Sequence, residues 1–393
     1  MIAKIIIIII LAIVLPDLYI DLHYLRHRTN YNLWKRIVWW IPTIIIIVIS
    51  ICFALSKKFA PDDMRILVGY LMLLGIFVLP KIIFSICSFL GWRHCVFHKT
   101  HFNWGNVIGL FLSFISVIMV VYGFTIGPRK LNVVNVEIPI KRLPQSFNGL
   151  RIVLFSDAHI NSFHNIMEDR LIDDIDTISA LKPDIICFAG DLQDIQPSEL
   201  YRYKNIISQI AKKTKVPVYS VLGNHDYSMY QIGTPKIKAE NERKIQEYEK
   251  AIGWHLLNNE HKAFYSPNRK DSIIIAGEGN CGTGRFPNKS DIKKTMRGVK
   301  KNDIVILLQH DPITWESRIL PNSNAALTLS GHTHGGQINI FGLRPTKFIY
   351  PNDHGLAEKN GRYLYVTSGI GALIPFRLGV PAEITVITLK TKK

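Results

Sequence analysis

The amino-acid sequence predicts four membrane-spanning helices followed by a separate α/β domain. Three observations carry that reading. Apolar residues crowd the first third of the chain in four long stretches. From Arg129 onward, short β-branched runs alternate with polar, helix-permissive segments, the pattern of an α/β domain. Several of those runs end directly in Asp, Asn and His. At 393 residues there is room for two units, each able to bury its own core, and a division into 1–127 and 128–393 follows the change in composition.

The four apolar stretches cover about residues 2–22, 37–55, 66–90 and 107–126. Each matches or approaches the roughly 20 residues that a helix needs to cross about 30 Å of hydrocarbon, so residues 1–127 read as a multi-pass integral membrane region. The first stretch differs from a cleaved signal peptide because it continues past Pro16 to Ile20 without a small-residue cleavage site. Asp17, Asp21 and Lys81 (just after Pro80) interrupt the pattern and mark helix ends, a kink or an inward-facing polar contact. His94, His98 and His101, before the fourth stretch, read as interfacial polar residues.

Orientation turns on the basic loops. Arg26, Arg28, Lys35 and Arg36 in the first loop, with Arg93 and Lys99 in the third, are matched by Lys4, Lys57, Lys58, Arg65, Arg129 and Lys130 on the other side. The first helix and its flanks often dominate, so the basic first loop points to a cytoplasmic first loop and an extracytoplasmic C-terminal domain.

A net charge of +17 favours anionic partners, whether phosphorylated small molecules, lipid headgroups or nucleic acid. Nucleic acid is disfavoured, because residues 128–393 hold no separate nucleic-acid module and no concentrated basic, aromatic-rich stretch. The five cysteines make no disulfide framework. Cys52, Cys87 and Cys95 lie in or beside apolar stretches and Cys187 sits in a run that reads as a buried strand, leaving Cys281 without a partner.

Nine strands are predicted in the second unit, at 133–140, 151–155, 185–188, 218–221, 272–276, 304–308, 326–329, 363–366 and 384–389. A solvated helix is predicted over 239–252. The residues just beyond the strands matter most, since strand carboxyl ends line the functional crevice of an α/β sheet. After 151–155 come Asp157 and His159, two apart and so pointing the same way if the strand continues through them. After 185–188, Gly190 allows a sharp turn that presents Asp191. After 218–221 come Gly223, Asn224, His225 and Asp226: an amide oxygen able to bind a cation, an imidazole able to act on a substrate, and a carboxylate able to orient that ring. His310 comes after 304–308. The run Gly331-His332-Thr333-His334-Gly335-Gly336-Gln337 puts two histidines at strand-like spacing on a glycine-framed loop, a strong metal-binding signal.

In this order the motifs resemble the full set of the calcineurin-like metallophosphoesterases. The Gly335-Gly336-Gln337 run and the closing segment from Ser368 to Arg377 are similar to the bacterial branch called YkuE-like or YaeI-like. The resemblance covers about residues 147–390 and none of the four apolar stretches. It implies a two-sheet αββα sandwich with metals at the strand ends. It also implies two divalent ions, one held by Asp157, His159, Asp191 and His334, the other by Asp191, Asn224, His310 and His332, with Asp191 shared. Manganese is favoured, with zinc or iron as alternatives. Water between the ions would attack, His225 would stabilise charge or protonate the leaving oxygen, and Asp226 would hold the His225 ring. The segment 277–280 is a glycine-rich variant of the family's pattern. Arg285 and Arg377 are candidate phosphate contacts for which surface or structural roles weigh more.

The function expected is hydrolysis of a phosphodiester or pyrophosphate bond, in a phosphorylated small-molecule or lipid-linked substrate, at a membrane whose lipids are partners. A membrane receptor using the same fold only to bind is the alternative. Transport through the helices is weaker still, since they carry few charges and no paired repeat.

Overall fold

The computed structural model describes residues 5–27, 32–56, 63–284 and 286–392. Lys4, Arg28, Lys57, Lys58 and Arg285 lie outside the described residues. The chain divides into two compact units, Met1–Ile126 and Gly127–Lys393.

In the first unit, four helical segments are long and apolar enough to span a membrane among the described residues: Ile6–Leu25, Leu33–Leu55, Met64–His98 and Trp104–Arg129. The third is longer than its apolar stretch. It is helical on both sides of a π turn at Leu74–Val78, just before Pro80, whose ring cannot take part in the regular ladder. Glycines let the third and fourth segments approach closely: a Cβ on Gly105 would lie 2.1 Å from the Cys87 carbonyl oxygen, and one on Gly109 3.2 Å from the Phe84 Cα. Their four-residue spacing is the small-residue pattern by which helices pack in lipid.

The interrupting charges turn inward. Asp17 is buried and its carboxylate lies 2.7 Å from Lys81 Nζ, accepts from the Thr43 hydroxyl, and shares Lys81 with the Trp39 ring at 4.9 Å. Asp21 pairs with Arg36 at 2.7 Å and accepts from the Trp40 indole. Ions are rarely left unpaired where water is scarce, so these contacts tie three segments together.

In the second unit, twelve strands among the described residues form two six-stranded sheets. They are β1 Leu131–Lys141, β2 Arg151–Phe155, β3 Ile185–Phe188, β4 Val218–Ser220, β5 His255–Leu256, β6 Glu260–Tyr265, β7 Ser272–Gly277, β8 Val305–Leu308, β9 Ala325–Ser330, β10 Gly355–Lys359, β11 Arg362–Val366 and β12 Ala382–Lys392. One sheet runs β1-β12-β2-β3-β4-β5 and the other β10-β11-β9-β8-β7-β6. Three strands, β5, β6 and β10, go unmarked in the sequence. The first has two residues, and the other two are half-exposed edge strands whose polar residues hide the apolar face.

Alternation along the strands builds the layers. Ile152, Leu154, Ile185 and Cys187 meet Ile273, Ile275, Ile306 and Leu308 between the sheets. Val153, Phe155, Ile186 and Phe188 face outward onto Leu171, Ile175 and Ile178 of the helix Glu168–Ala180, and onto Ile245 and Tyr248 of the helix Pro235–Ala251. On the other outer face, Val305, Leu307 and Leu364 pack on Trp315 and Ile319. The result is an αββα sandwich whose parallel strands β2, β3, β4, β8 and β9 end on loops that hold the polar motifs.

Replacing Lys81 by Met leaves the Asp17 carboxylate buried and unpaired, so Lys81→Met should cost roughly 3–5 kcal/mol, and Asp17→Leu with Lys81→Met should recover most of it. Unfolding of the detergent-solubilised full chain measures both. A single variant as stable as the parent would show that the pair does not hold the helices.

Candidate metal centre

The two sheets offer the same end of five strands to one place. β2 stops at Phe155 because the next amides bond across to the β3 loop, Asp157 N to Gly190 O at 2.8 Å and His159 N to Asp191 O at 3.2 Å. Asp157 and His159 therefore do not continue a strand, as their spacing suggested. Both take left-handed backbone, φ 50° and 43°. His332 and His334 likewise sit in a turn, at φ 72° and 51°, and Asp191 is at 61°. Each such non-glycine position costs on the order of 1–3 kcal/mol and persists only where the surroundings enforce it, as at functional sites. Gly190 is needed for a second reason: a Cβ there would lie 2.6 Å from Gly223 N and 2.8 Å from His310 Nδ1.

These loops bring the sequence-marked side chains together. His310 Nε2 lies 3.1 Å and His159 Nε2 3.7 Å from Asp191 Oδ2, and His334 Nε2 lies 3.7 Å from Asp157 Oδ1. His332 Nδ1 lies 3.3 Å from His310 Nε2. Among the described residues, three groups place all their ligand atoms within 4.8 Å of one another: Asp157, His159 and His334; His159, Asp191 and His225; Asp191, His310 and His332. They overlap at His159 and Asp191, which makes the cluster continuous.

The donor set fits a cation. Among the described residues, His159 Nε2 and Asn224 Oδ1 are buried without a hydrogen-bond partner, a costly state unless something electropositive faces them. The carboxylates of Asp157, Asp191, Asp194, Asp226 and Asp311 are also buried. Burial above all pushes Asp194 and Asp226 up to about 7 and Asp311 up to about 6. Burial opposes charge on His310 too, yet the Asp191 carboxylate beside it holds its pKa up at about 10. Burial pulls His225 down to about 4, and burial with the nearby His310 pulls His332 down to about 3. Imidazoles, an amide oxygen and carboxylates suit a borderline divalent ion.

Asp226 does not hold the His225 ring. Its oxygens accept from the backbone amides of Asp191 at 2.8 Å, Gly223 at 2.9 Å, Leu192 at 3.0 Å and Gln193 at 3.2 Å. The carboxylate thus fastens the β3 loop to the β4 loop, an anchoring role rather than a catalytic one. The ring is fixed instead by the Asp194 carbonyl, 2.5 Å from His225 Nδ1.

Three supporting residues carried no sequence role. The Asp194 carboxylate lies 2.9 Å from His159 Nδ1 and turns Nε2 toward the cluster. Tyr350 OH lies 2.9 Å from His332 Nε2, and Asp311 Oδ2 is 3.6 Å from the same nitrogen. Such partners orient metal-ligating imidazoles. Only Asp194 had a signal, three residues beyond Asp191. Arg377 is buried and donates to the Ser368, Gly369 and Gly371 carbonyls, which makes it a clamp on the loop after β11. Glu278 is spent on Arg318 at 2.6 Å.

Residues 3–128 match the family described as "Probable Calcineurin-like phosphoesterase, transmembrane domain", and residues 150–336 match "Calcineurin-like phosphoesterase". A "Transmembrane protein with metallophosphoesterase domain" from Danio rerio is 33% identical over 283 residues, covering 70% of this chain and 61% of the relative. The metallophosphoesterase YkuE of Bacillus subtilis (strain 168) is 28% identical over 69% of this chain and 90% of its own. "Phosphodiesterase YaeI" of Escherichia coli (strain K12) is 26% identical over 61% of this chain and 82% of its own. The chain spans about three fifths of the first of these relatives. With both units matched, the chain belongs to the calcineurin-like phosphoesterases, as an integral membrane member of that family.

Proposed function

We propose that the chain is a two-metal phosphoesterase that hydrolyses a phosphodiester or pyrophosphate bond at a membrane surface. The observation that carries this is the run of three overlapping ligand groups, joined at His159 and Asp191, at the ends of strands from both sheets. Asp157, His159, Asp191 and His334 would hold one divalent ion, and Asp191, Asn224, His310 and His332 the other. Manganese is favoured, with zinc or iron as alternatives. Bound there, the pair would supply an acidified water and neutralise charge on the phosphoryl oxygens.

The protein's own contribution centres on His225. A carbonyl can only accept, so the bond to Asp194 fixes the proton on Nδ1 and leaves Nε2 as the free nitrogen of a neutral ring. An anionic phosphoryl group beside that ring raises its proton affinity, the condition for stabilising charge and passing a proton to the leaving oxygen. Asp194, Tyr350 and Asp226 hold the ring and the loops in place beforehand, so little reorganisation is left for the reaction. A binding-only receptor would not need both the supporting shell and a ring so placed. The basic first loop favours the extracytoplasmic side for the phosphoesterase unit.

Hydrolysis of bis-p-nitrophenyl phosphate by the purified full chain, stripped of metal and reloaded with manganese, zinc or iron, tests the reaction class. Restored cleavage is expected, and a folded, metal-loaded chain that cleaves no ester would overturn it. His225→Ala should lower turnover about 10²–10⁴-fold while metal content is retained. His332→Ala should lose metal and activity together. Asp226→Ala leaves buried amides unpaired and should destabilise the fold by at least about 3 kcal/mol, seen as a lower unfolding midpoint before any kinetic comparison.

A further inference from the structure

Large apolar side chains are exposed at few places on the second unit, and five of them fall within ten residues: Ile340, Phe341, Leu343, Phe348 and Ile349. Phe341 is wholly exposed, Phe348 is 90% exposed, Leu343 71% and Ile349 67%. An apolar patch of this density on a water-facing loop marks a surface meant to be covered.

The loop is built, not loose. Buried Asp353 accepts from Arg344 Nε and Nη2 and from the Thr346 hydroxyl, each at 2.8 Å. Ile340 and Leu343 bond to each other across a tight turn that holds Phe341 at φ 52° at its tip. Arg344 and Thr346 thus turn into the fold while the apolar residues point out, the reverse of a water-solvated loop. The loop also runs straight into the candidate centre, since Tyr350 next to Ile349 bonds His332.

We propose that residues 340–349 form a bilayer-docking loop that seats the metal centre at the lipid surface, so that the phosphoester it takes belongs to an amphipathic lipid. The occupant is a bilayer because the chain brings one with it: the last spanning segment ends at Arg129 and β1 begins at Leu131, so no long linker carries the second unit away. The apolar tips have the character of side chains that insert at the acyl boundary, and exposed Lys347 among them suits anionic headgroups. The substrate half of the proposal rests on the phosphoesterase reading, and the docking half does not.

The test uses the full chain in nanodiscs of phosphatidylcholine and phosphatidylglycerol. Phe341→Cys and Phe348→Cys carry an environment-sensitive fluorophore, with the labelled parent chain subtracted for its native cysteines. Tyr265→Cys serves as control, because Tyr265 is exposed and pairs with Ser272 at the end of the sheet opposite the site. Probes at 341 and 348 should be quenched by chain-brominated lipid and shielded from iodide, while the probe at 265 stays open to iodide. Probes at 341 and 348 as open to iodide as that at 265 would overturn the docking loop. Shielding from iodide without quenching by brominated lipid would assign the patch to a protein partner and overturn it equally. Phe341→Ser with Phe348→Ser should lower hydrolysis of a bilayer-borne phospholipid ester, relative to bis-p-nitrophenyl phosphate, by roughly tenfold. An unchanged ratio would overturn the lipid substrate. Failure to cleave either ester would instead refute the phosphoesterase reading, leaving the quenching result to stand alone.

Discussion

The second unit is organised around one buried carboxylate. Asp191 sits at the end of β3, where the two sheets bring their strand ends together. One oxygen accepts from the His225 amide at 2.8 Å and the other faces His310 at 3.1 Å and His159 at 3.7 Å. Its own amide is held by Asp226. A carboxylate buried this completely is stable inside a protein only with positive charge beside it. A protonated His310, whose pKa Asp191 holds up at about 10, supplies part of that charge, and divalent ions would supply more.

The rest of the site is arranged to serve that position. Five ligand-bearing residues accept left-handed backbone, and Gly190 leaves a passage that a methyl group would close. The sandwich above them is conventional in its packing, with apolar residues alternating between an inner seam and two helix-covered faces. Stability is drawn from the layers, and left-handed backbone is accepted at the strand ends that carry the ligands. The division explains why the same fold can tolerate a rigid, polar cluster at its edge.

Much of this was legible in the sequence because the signals are local. The spanning segments announce themselves by apolar length, and the strands buried on both faces by short unbroken apolar runs such as Ile304 to Leu308. The edge strands β6 and β10 were not, because Glu260, His261 and Lys262 or Glu358 and Lys359 break the apolar pattern where one face meets water. The candidate ligands were found from their types and order, and Asp157 and His159 do converge, but through left-handed turns and not along a continuing strand. A spacing of two implies a common side only in a continuing strand, and hydrogen bonds between loops end these strands first. The role of Asp226 was hidden for the same reason, since three of its four amide partners belong to a segment over thirty residues away in sequence. The inward pairing of Asp17 with Lys81 needed three helices to be seen at once.

The most direct measurement is the metal content of the purified full chain and of Asp191→Asn after stripping and reloading with manganese, with unfolding used to confirm that both are folded. A shared Asp191 predicts two equivalents per chain in the parent and neither retained at comparable affinity in Asp191→Asn. A parent that binds at most one equivalent, or an Asp191→Asn chain that keeps both, would contradict the bridging role on which the proposed centre depends.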